Sequence, residues 1–346
     1  MTRGVAALRV RVLAVISPVV LVASLAAQPS GLRGPMLDAH NCYPEAGQWR
    51  DRLSRALSTG VTPIGIEQDL AWKSDGRGGG VSVVAHDTPL RGDEPTLERY
   101  FFDALAPRME AALAANRRET WPLVVLHFDF KTNEPEHHQA VLALLQKYRR
   151  WLTTAPRGVD ARPQPLVIGP MLVLTEAGEG QERDFFTTRP ADEPLMIFGT
   201  VPPVSLTASD DRDAQWDAAI GASPERLLPA GATNYRRWAN FGWSVVERGG
   251  QRRAGDWAAA DAARLKAIVD RAHALGLWIR FYTLDGYGAG EGRGWGESYN
   301  FGSHEAVEAR WRGAIAAGVD FIATDQYEDF ASAARAFRSR LAPRHP

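Results

Sequence analysis

The chain has 346 residues, 45% of them hydrophobic, which is enough for a large core in one barrel-sized domain or in two smaller ones. Its formal net charge of −1 gives no electrostatic basis for binding nucleic acid or an anionic membrane surface, and no nucleic-acid partner is expected. Cys42 is the only cysteine, which excludes an intrachain disulfide; it reads as a small buried thiol, with a nucleophile beside His40 as the alternative.

At the N-terminus, Arg3, Arg9 and Arg11 precede an apolar stretch from Val12 to Ala27 that ends in the small residues Ser24, Ala26 and Ala27. This is the pattern of a secretory signal peptide over residues 1–27; an uncleaved membrane anchor is the alternative, but the stretch is short of the about 20 apolar residues that a span needs. Those residues hold three arginines and no acid, so their removal takes the net charge from −1 to −4. The mature chain, 28–346, is expected to be one domain without an integral membrane span, secreted or periplasmic.

From about residue 35 the chain alternates between two kinds of segment. Strands are predicted at Met36–His40, Pro63–Leu70, Val81–His86, Leu123–Phe130, Leu166–Thr175, Leu195–Thr200, Trp243–Glu247, Leu277–Leu284 and Phe321–Thr324. Several are continuous apolar runs, as in strands covered on both faces. Helices are predicted at Gln48–Ser58, Thr96–Ala115, Glu134–Trp151, Ala258–Leu275, His304–Ala317 and Tyr327–Leu341. Leu265, Ile268, Val269 and Ala272 share one helical face, and Gly276 and Gly318 follow their helices as C-caps. Val201–Ser223 reads as a long loop and Gly286–Asn300 as an active-site loop, whose aromatics Trp295, Tyr299 and Phe301 line a pocket or pack the loop. Repeated strand–helix units over roughly 300 residues predict an α/β fold, a closed (β/α)₈ TIM barrel. An open doubly wound sheet is the alternative, but no Gly-rich dinucleotide fingerprint follows the first strand.

Glu67 and Asp69 stand at i and i+2 on a strand, so their carboxylates share a face. Two acids on an apolar strand are costly to bury unless something neutralises them, and one hard divalent cation, Mg²⁺ or Ca²⁺, does so through oxygen ligands. Asp129 and Lys131 repeat the spacing on a later strand: Asp129 can be a third metal ligand, and Lys131 can hold a phosphate. A rim cluster of ion pairs is the structural alternative. His40 and His86 each follow a strand-like run, where barrel enzymes place catalytic groups, and both can exchange protons near neutrality. His127 reads as a core or supporting residue, His273 as structural, and His137 and His138 as solvent-exposed at a helix start. No H-x-H or HExxH spacing supports zinc, and no G-x-S-x-G supports a serine hydrolase. Glycoside hydrolysis would leave the histidines without a task.

The order His40, Glu67-x-Asp69, His86, Asp129-x-Lys131 resembles the phosphatidylinositol-phospholipase-C-like phosphodiesterases, which include glycerophosphodiester phosphodiesterases and sphingomyelinase D. The ending Gly318-Val-Asp-Phe-Ile-Ala-Thr324-Asp325 is similar to the last strand of those barrels, and Phe281–Asp285 to the strand that sets an aromatic residue beside the site. The resemblance spans roughly residues 36–330. It implies a TIM barrel, His40 and His86 as catalytic residues, Glu67, Asp69 and Asp129 as metal ligands, and Lys131, Asn41 and Tyr282 as substrate contacts. Two positions depart from the glycerophosphodiesterase pattern: Asn41 stands where Arg is usual, and Asp129 precedes Lys131 where Glu is usual, as in sphingomyelinase D. His40–Tyr43 looks more like the branch with the altered-inheritance-of-mitochondria proteins, and the single cysteine rules out the loop disulfides of venom sphingomyelinases D.

These readings predict an exported, metal-dependent phosphodiesterase acting on a glycerophospho- or phospholipid-type diester, through a cyclic phosphate or by direct attack of water. His40 is expected to take the proton of the nucleophile and His86 to protonate the leaving oxygen. The competing readings are a non-catalytic binding protein for a phosphorylated ligand or glycan, and a metal-dependent hydrolase of a non-phosphate ester.

Overall fold

The computed structural model describes residue 32 and residues 35–45, 47–248, 254–288, 291 and 300–341; the expected signal peptide lies outside them. The strands are β1 Met36–Ala39, β2 Ile64–Ser74, β3 Gly80–Val84, β4 Val124–Phe130, β5 Ala155–Pro156, β6 Met171–Thr175, β7 Pro194–Leu195, β8 Phe198–Thr200, β9 Arg236–Gly242, β10 Trp278–Tyr282 and β11 Phe321–Thr324. Eight of them, β1, β2, β4, β6, β8, β9, β10 and β11, pair in parallel in that order. β1 pairs with β2 on one side (Asp38 opposite Gly65) and with β11 on the other (Met36 opposite Phe321), so the sheet closes. The protein is a (β/α)₈ barrel.

β3 returns antiparallel on β2, with Leu70 opposite Val84, and is an added hairpin outside the barrel wall. β5 and β7 form a separate two-stranded pair. The wall strands β1, β6 and β11 are short, mostly apolar runs buried along their whole length, as the near-continuous hydrophobicity predicts. Helices cover the outer face. The helix Ala259–Ala274 buries the expected side, Leu265, Ile268, Val269 and Ala272. The helix His304–Ala317 ends on Gly318 at φ +88°, a left-handed position that favours glycine.

Two predicted elements are corrected. The expected strand Trp243–Glu247 is a 3₁₀ turn over Trp243–Val245, and the wall strand precedes it as β9. Arg236, Arg237 and Asn240 break the apolar run there, yet Trp238 and Asn240 point into a barrel interior that is itself polar. The expected loop Val201–Ser223 contains the helix Arg212–Gly221, whose cap Asp211 accepts a bond from the Ala214 N–H. That helix buries no residue fully, so it carries no apolar stripe to betray it.

His137 and His138 are a third correction: both are fully buried in the first turn of the helix Pro135–Lys147. This turn packs over the β3 hairpin and the segment Arg183–Thr187, so its apolar side begins at the cap. His137 is hydrogen-bonded to Ser82 Oγ at 2.8 Å and stacks on Trp72. His138 meets Asp184 at 2.7 Å. Burial pushes the pKa of His137 down to about 4 and leaves the ring neutral.

Candidate active site

The parity of the wall strands decides what faces inward. Gly65, Glu67 and Asp69 of β2 share a face, and the parallel register sets Glu67 beside His127 and Asp69 beside Asp129 of β4. His40 follows β1, Lys131 follows β4, and Asp325 follows β11, so all three lie at the carboxyl ends of their strands. Donor oxygens of Glu67, Asp69 and Asp129 come within 4.8 Å of one another. Lys131 Nζ sits among them, 2.6 Å from Asp129 Oδ2 and 2.9 Å from Asp69 Oδ2. The Tyr43 hydroxyl is 2.7 Å from Asp69 Oδ2.

The acids differ in charge balance. Burial, then the nearby Asp129 and Glu67, pushes Asp69 well above the usual carboxylate range, and Lys131 only partly offsets them. Burial and Glu176 likewise raise Asp129. Burial also acts to raise Glu67, but His40, Arg280, His127 and the Asn41 N–H outweigh it and hold the group well below that range. Three hard oxygen donors this close together, Asp69 and Asp129 among them destabilised as bare carboxylates, fit a divalent cation.

His40 and its neighbours are buried. Nδ1 of His40 is 3.0 Å from Asp325 Oδ1, and Nε2 is 3.6 Å from Glu67 Oε2. Burial alone would lower the pKa of His40; Glu67 and Asp325 reverse this and push it up to about 9, so the ring favours its protonated form at neutral pH. Asn41, held at φ +50°, donates its backbone N–H to Glu67 Oε2 at 2.8 Å and its side-chain amide to Asp325. Tyr282 stacks 6.4 Å from His40, centroid to centroid.

The structure therefore brings His40, Asn41, Glu67, Asp69, Asp129, Lys131 and Tyr282 to one mouth. His86 stands at the rim: its ring is 40% exposed and pairs with Asp87 at 2.8 Å, in a cleft lined also by Glu45, Arg50 and Arg91. The Ala85 N–H, bonded to the Asp69 carbonyl oxygen, ties the preceding backbone to the acid-bearing strand. His273 bonds Asp320 at 2.9 Å on the helix Ala259–Ala274. Cys42 is fully buried and its thiol is pushed up by burial, as a packing residue. Trp295 and Tyr299 lie outside the described residues, and Phe301 packs under the Arg310 guanidinium, 4.7 Å away.

Arg280 escaped the sequence reading. Its guanidinium bonds Asp38, Glu67 Oε1 at 3.2 Å and Asn240 Oδ1 at 3.2 Å, all inside the barrel. The signal was present, because Arg280 is two residues from Tyr282 and shares its inward parity. Glu176 escaped as well: it meets His127 Nε2 at 3.3 Å and accepts a bond from Asn240 Nδ2 at 2.8 Å.

No family profile matches the chain. No curated protein matches it either. Among solved structures, it is similar to a glycerophosphoryl diester phosphodiesterase from Parabacteroides distasonis, at 16% identity and TM-score 0.40, over 90% of this chain and 89% of that one. It is also similar to Burkholderia cenocepacia dihydropteroate synthase, at 14% identity and TM-score 0.37, over 89% and 92% of the two chains. For the 7,8-dihydropteroate synthase of Vibrio fischeri the values are 14% and 0.38, over 91% and 95%. The barrel itself rests on the strand pairing described above. Among the described residues, no helix is long and apolar enough to cross a membrane.

Proposed function

We propose that the protein is a metal-dependent phosphodiesterase acting on a glycerophospho- or phospholipid-type diester. The observation that carries this reading is the convergence of Glu67, Asp69 and Asp129 at the carboxyl-end mouth of the barrel. Lys131 stands between two of these acids, and the His40–Asp325 pair lies beside them. A bound Mg²⁺ or Ca²⁺ supplies positive charge for a non-bridging phosphate oxygen and for the transition state. Lys131 holds the phosphate, and Tyr282 and Asn41 shape its surroundings. Asp325 fixes Nδ1 of His40 and leaves Nε2 toward the acids. His40 and His86 divide the proton transfers to and from the nucleophile and the leaving oxygen. A barrel that only bound a phosphorylated ligand would have no use for an oriented proton carrier.

None of these side chains is a strong nucleophile, so attack falls to a hydroxyl next to the phosphate, giving a cyclic phosphate. A panel of phosphodiesters assayed with Mg²⁺, Ca²⁺ or a chelator tests the reading. A diester with that hydroxyl should be cleaved and its methyl ether should resist, with a cyclic phosphate seen by phosphorus NMR. Full turnover in chelator would refute the metal; equal rates on the two substrates would refute cyclisation. The secretory-signal pattern of residues 1–27 supports reading the mature protein as exported, and an exported chain that retained Met1 by intact mass would contradict processing before Gln28.

A further inference from the structure

One buried cation in the barrel is not used by the proposed chemistry. Arg280 is 2% exposed and spans the interior from β10 to β1 and β2. Its Nε donates to Asp38 Oδ2 and its Nη2 to Glu67 Oε1 at 3.2 Å. Nη1 donates to Asn240 Oδ1 at 3.2 Å, and the guanidinium lies 5.6 Å from the Tyr282 ring centroid. The other oxygen of Glu67, Oε2, accepts the Asn41 N–H at 2.8 Å. Glu67 is thus gripped from both sides before any cation arrives, and its orientation is not left to rotamer freedom.

A second position supports the same arrangement. A Cβ built on Gly65 would come within 2.3 Å of Asp38 Oδ1 and 3.0 Å of Asp38 Cα. Glycine there leaves the room in which the Asp38 carboxylate lies, opposite in register on β1 and facing Arg280. Gly65 backs Asp38, Asp38 holds Nε of Arg280, and Arg280 holds Glu67. Asn240 and Tyr282 prevent the guanidinium from swinging away.

We infer that Arg280, braced by Asp38 across Gly65, is a positioning residue that sets the cation affinity of the site by fixing Glu67. This rests on the reading of Glu67, Asp69 and Asp129 as cation ligands. A neutral replacement of Arg280 would be ambiguous, because removing a positive charge also strengthens attraction for a cation. Two charge-preserving variants avoid this. Arg280→Lys keeps the charge but cannot fork between Asp38 and Glu67. Gly65→Ala keeps every charged group and acts at Asp38, on its carboxylate first and more weakly on the β1 backbone at its Cα.

The experiment is calorimetric titration of Mg²⁺ into the purified full chain and its Arg280→Lys, Gly65→Ala and Glu67→Gln variants, with thermal melts to confirm folding. Arg280→Lys and Gly65→Ala should each weaken Mg²⁺ binding about tenfold or more, the scale of lost support to a metal ligand. Their phosphodiesterase turnover should recover as Mg²⁺ is raised to saturation, which general structural damage would not do. Wild-type Mg²⁺ affinity in both folded variants would overturn the inference, provided Glu67→Gln loses affinity. Wild-type affinity in Glu67→Gln would instead overturn the cation site. If Arg280→Lys fails to fold, Gly65→Ala decides, since it acts at Asp38 and leaves Arg280 and Glu67 themselves unchanged.

Discussion

His40 and His86 look alike in the sequence, each ending a strand-like run, but their surroundings differ. His40 is buried between two carboxylates, whereas His86 pairs with Asp87 at an exposed rim. Both are assigned proton transfer, so His40→Ala and His86→Ala should each reduce turnover by about a hundredfold or more in steady-state assays. Loss of less than tenfold in His86→Ala would remove it from the mechanism. His137 belongs to stability instead. Burial lowers its folded pKa to about 4, below the ordinary 6.5. A depressed histidine contributes stability that is fully present above 6.5 and is lost as pH falls toward 4, because the unfolded chain binds the proton first. Each pKa unit is worth about 1.4 kcal/mol, so the loss is on the order of 3 to 4 kcal/mol at most. His137→Gln should flatten the fall in Tm between neutral pH and pH 4 relative to wild type; parallel Tm curves would refute this.

At the scale of elements, apolar patterning located most of the wall and its helices, and the helices His304–Ala317 and Tyr327–Leu341 have the predicted limits. It failed at β9, where charged residues occupy a wall strand, and at Arg212–Gly221, which buries no apolar stripe. A helix that does carry the stripe is committed to the barrel surface. Ile268 is fully buried on the inner side of Ala259–Ala274. Ile268→Ala should cost about 2–5 kcal/mol by denaturant titration, as for other large-to-small core changes, without altering Mg²⁺ affinity. A cost below 1 kcal/mol would mean that this helix–barrel contact is loosely packed.

For the molecule as a whole, closure is the decisive step. Met36 near the start pairs with Phe321 near the end, and this pairing puts Asp325 against His40 across 285 positions of sequence. It also encloses Asp38, Glu67, His127 and Arg280 in one interior, where unpaired charges would be costly and each is held against opposite charge. The acids at the mouth remain close together, and a ligand that binds only the folded barrel stabilises it. At Mg²⁺ a hundred times its Kd, binding should add about 2.7 kcal/mol. For a domain of this size that raises Tm by roughly 5 °C, and a chelator should reverse it. A Tm indifferent to both Mg²⁺ and Ca²⁺ would argue against the cation site.

The sequence by itself determined the alternation of strands and helices, and with it the barrel. It also determined the pairing of Glu67 with Asp69 and of Asp129 with Lys131 on common faces, because side-chain direction in a strand follows a period of two. Only the tertiary structure decided which of these pairs meet. The register of β2 on β4 sets Asp129 beside Asp69 and places Lys131 on both, while closure delivers Asp325 to His40 and Arg280 to Glu67. Partners so far apart in the chain leave no periodic trace, since nothing local requires an arginine on one strand to match an acid on another.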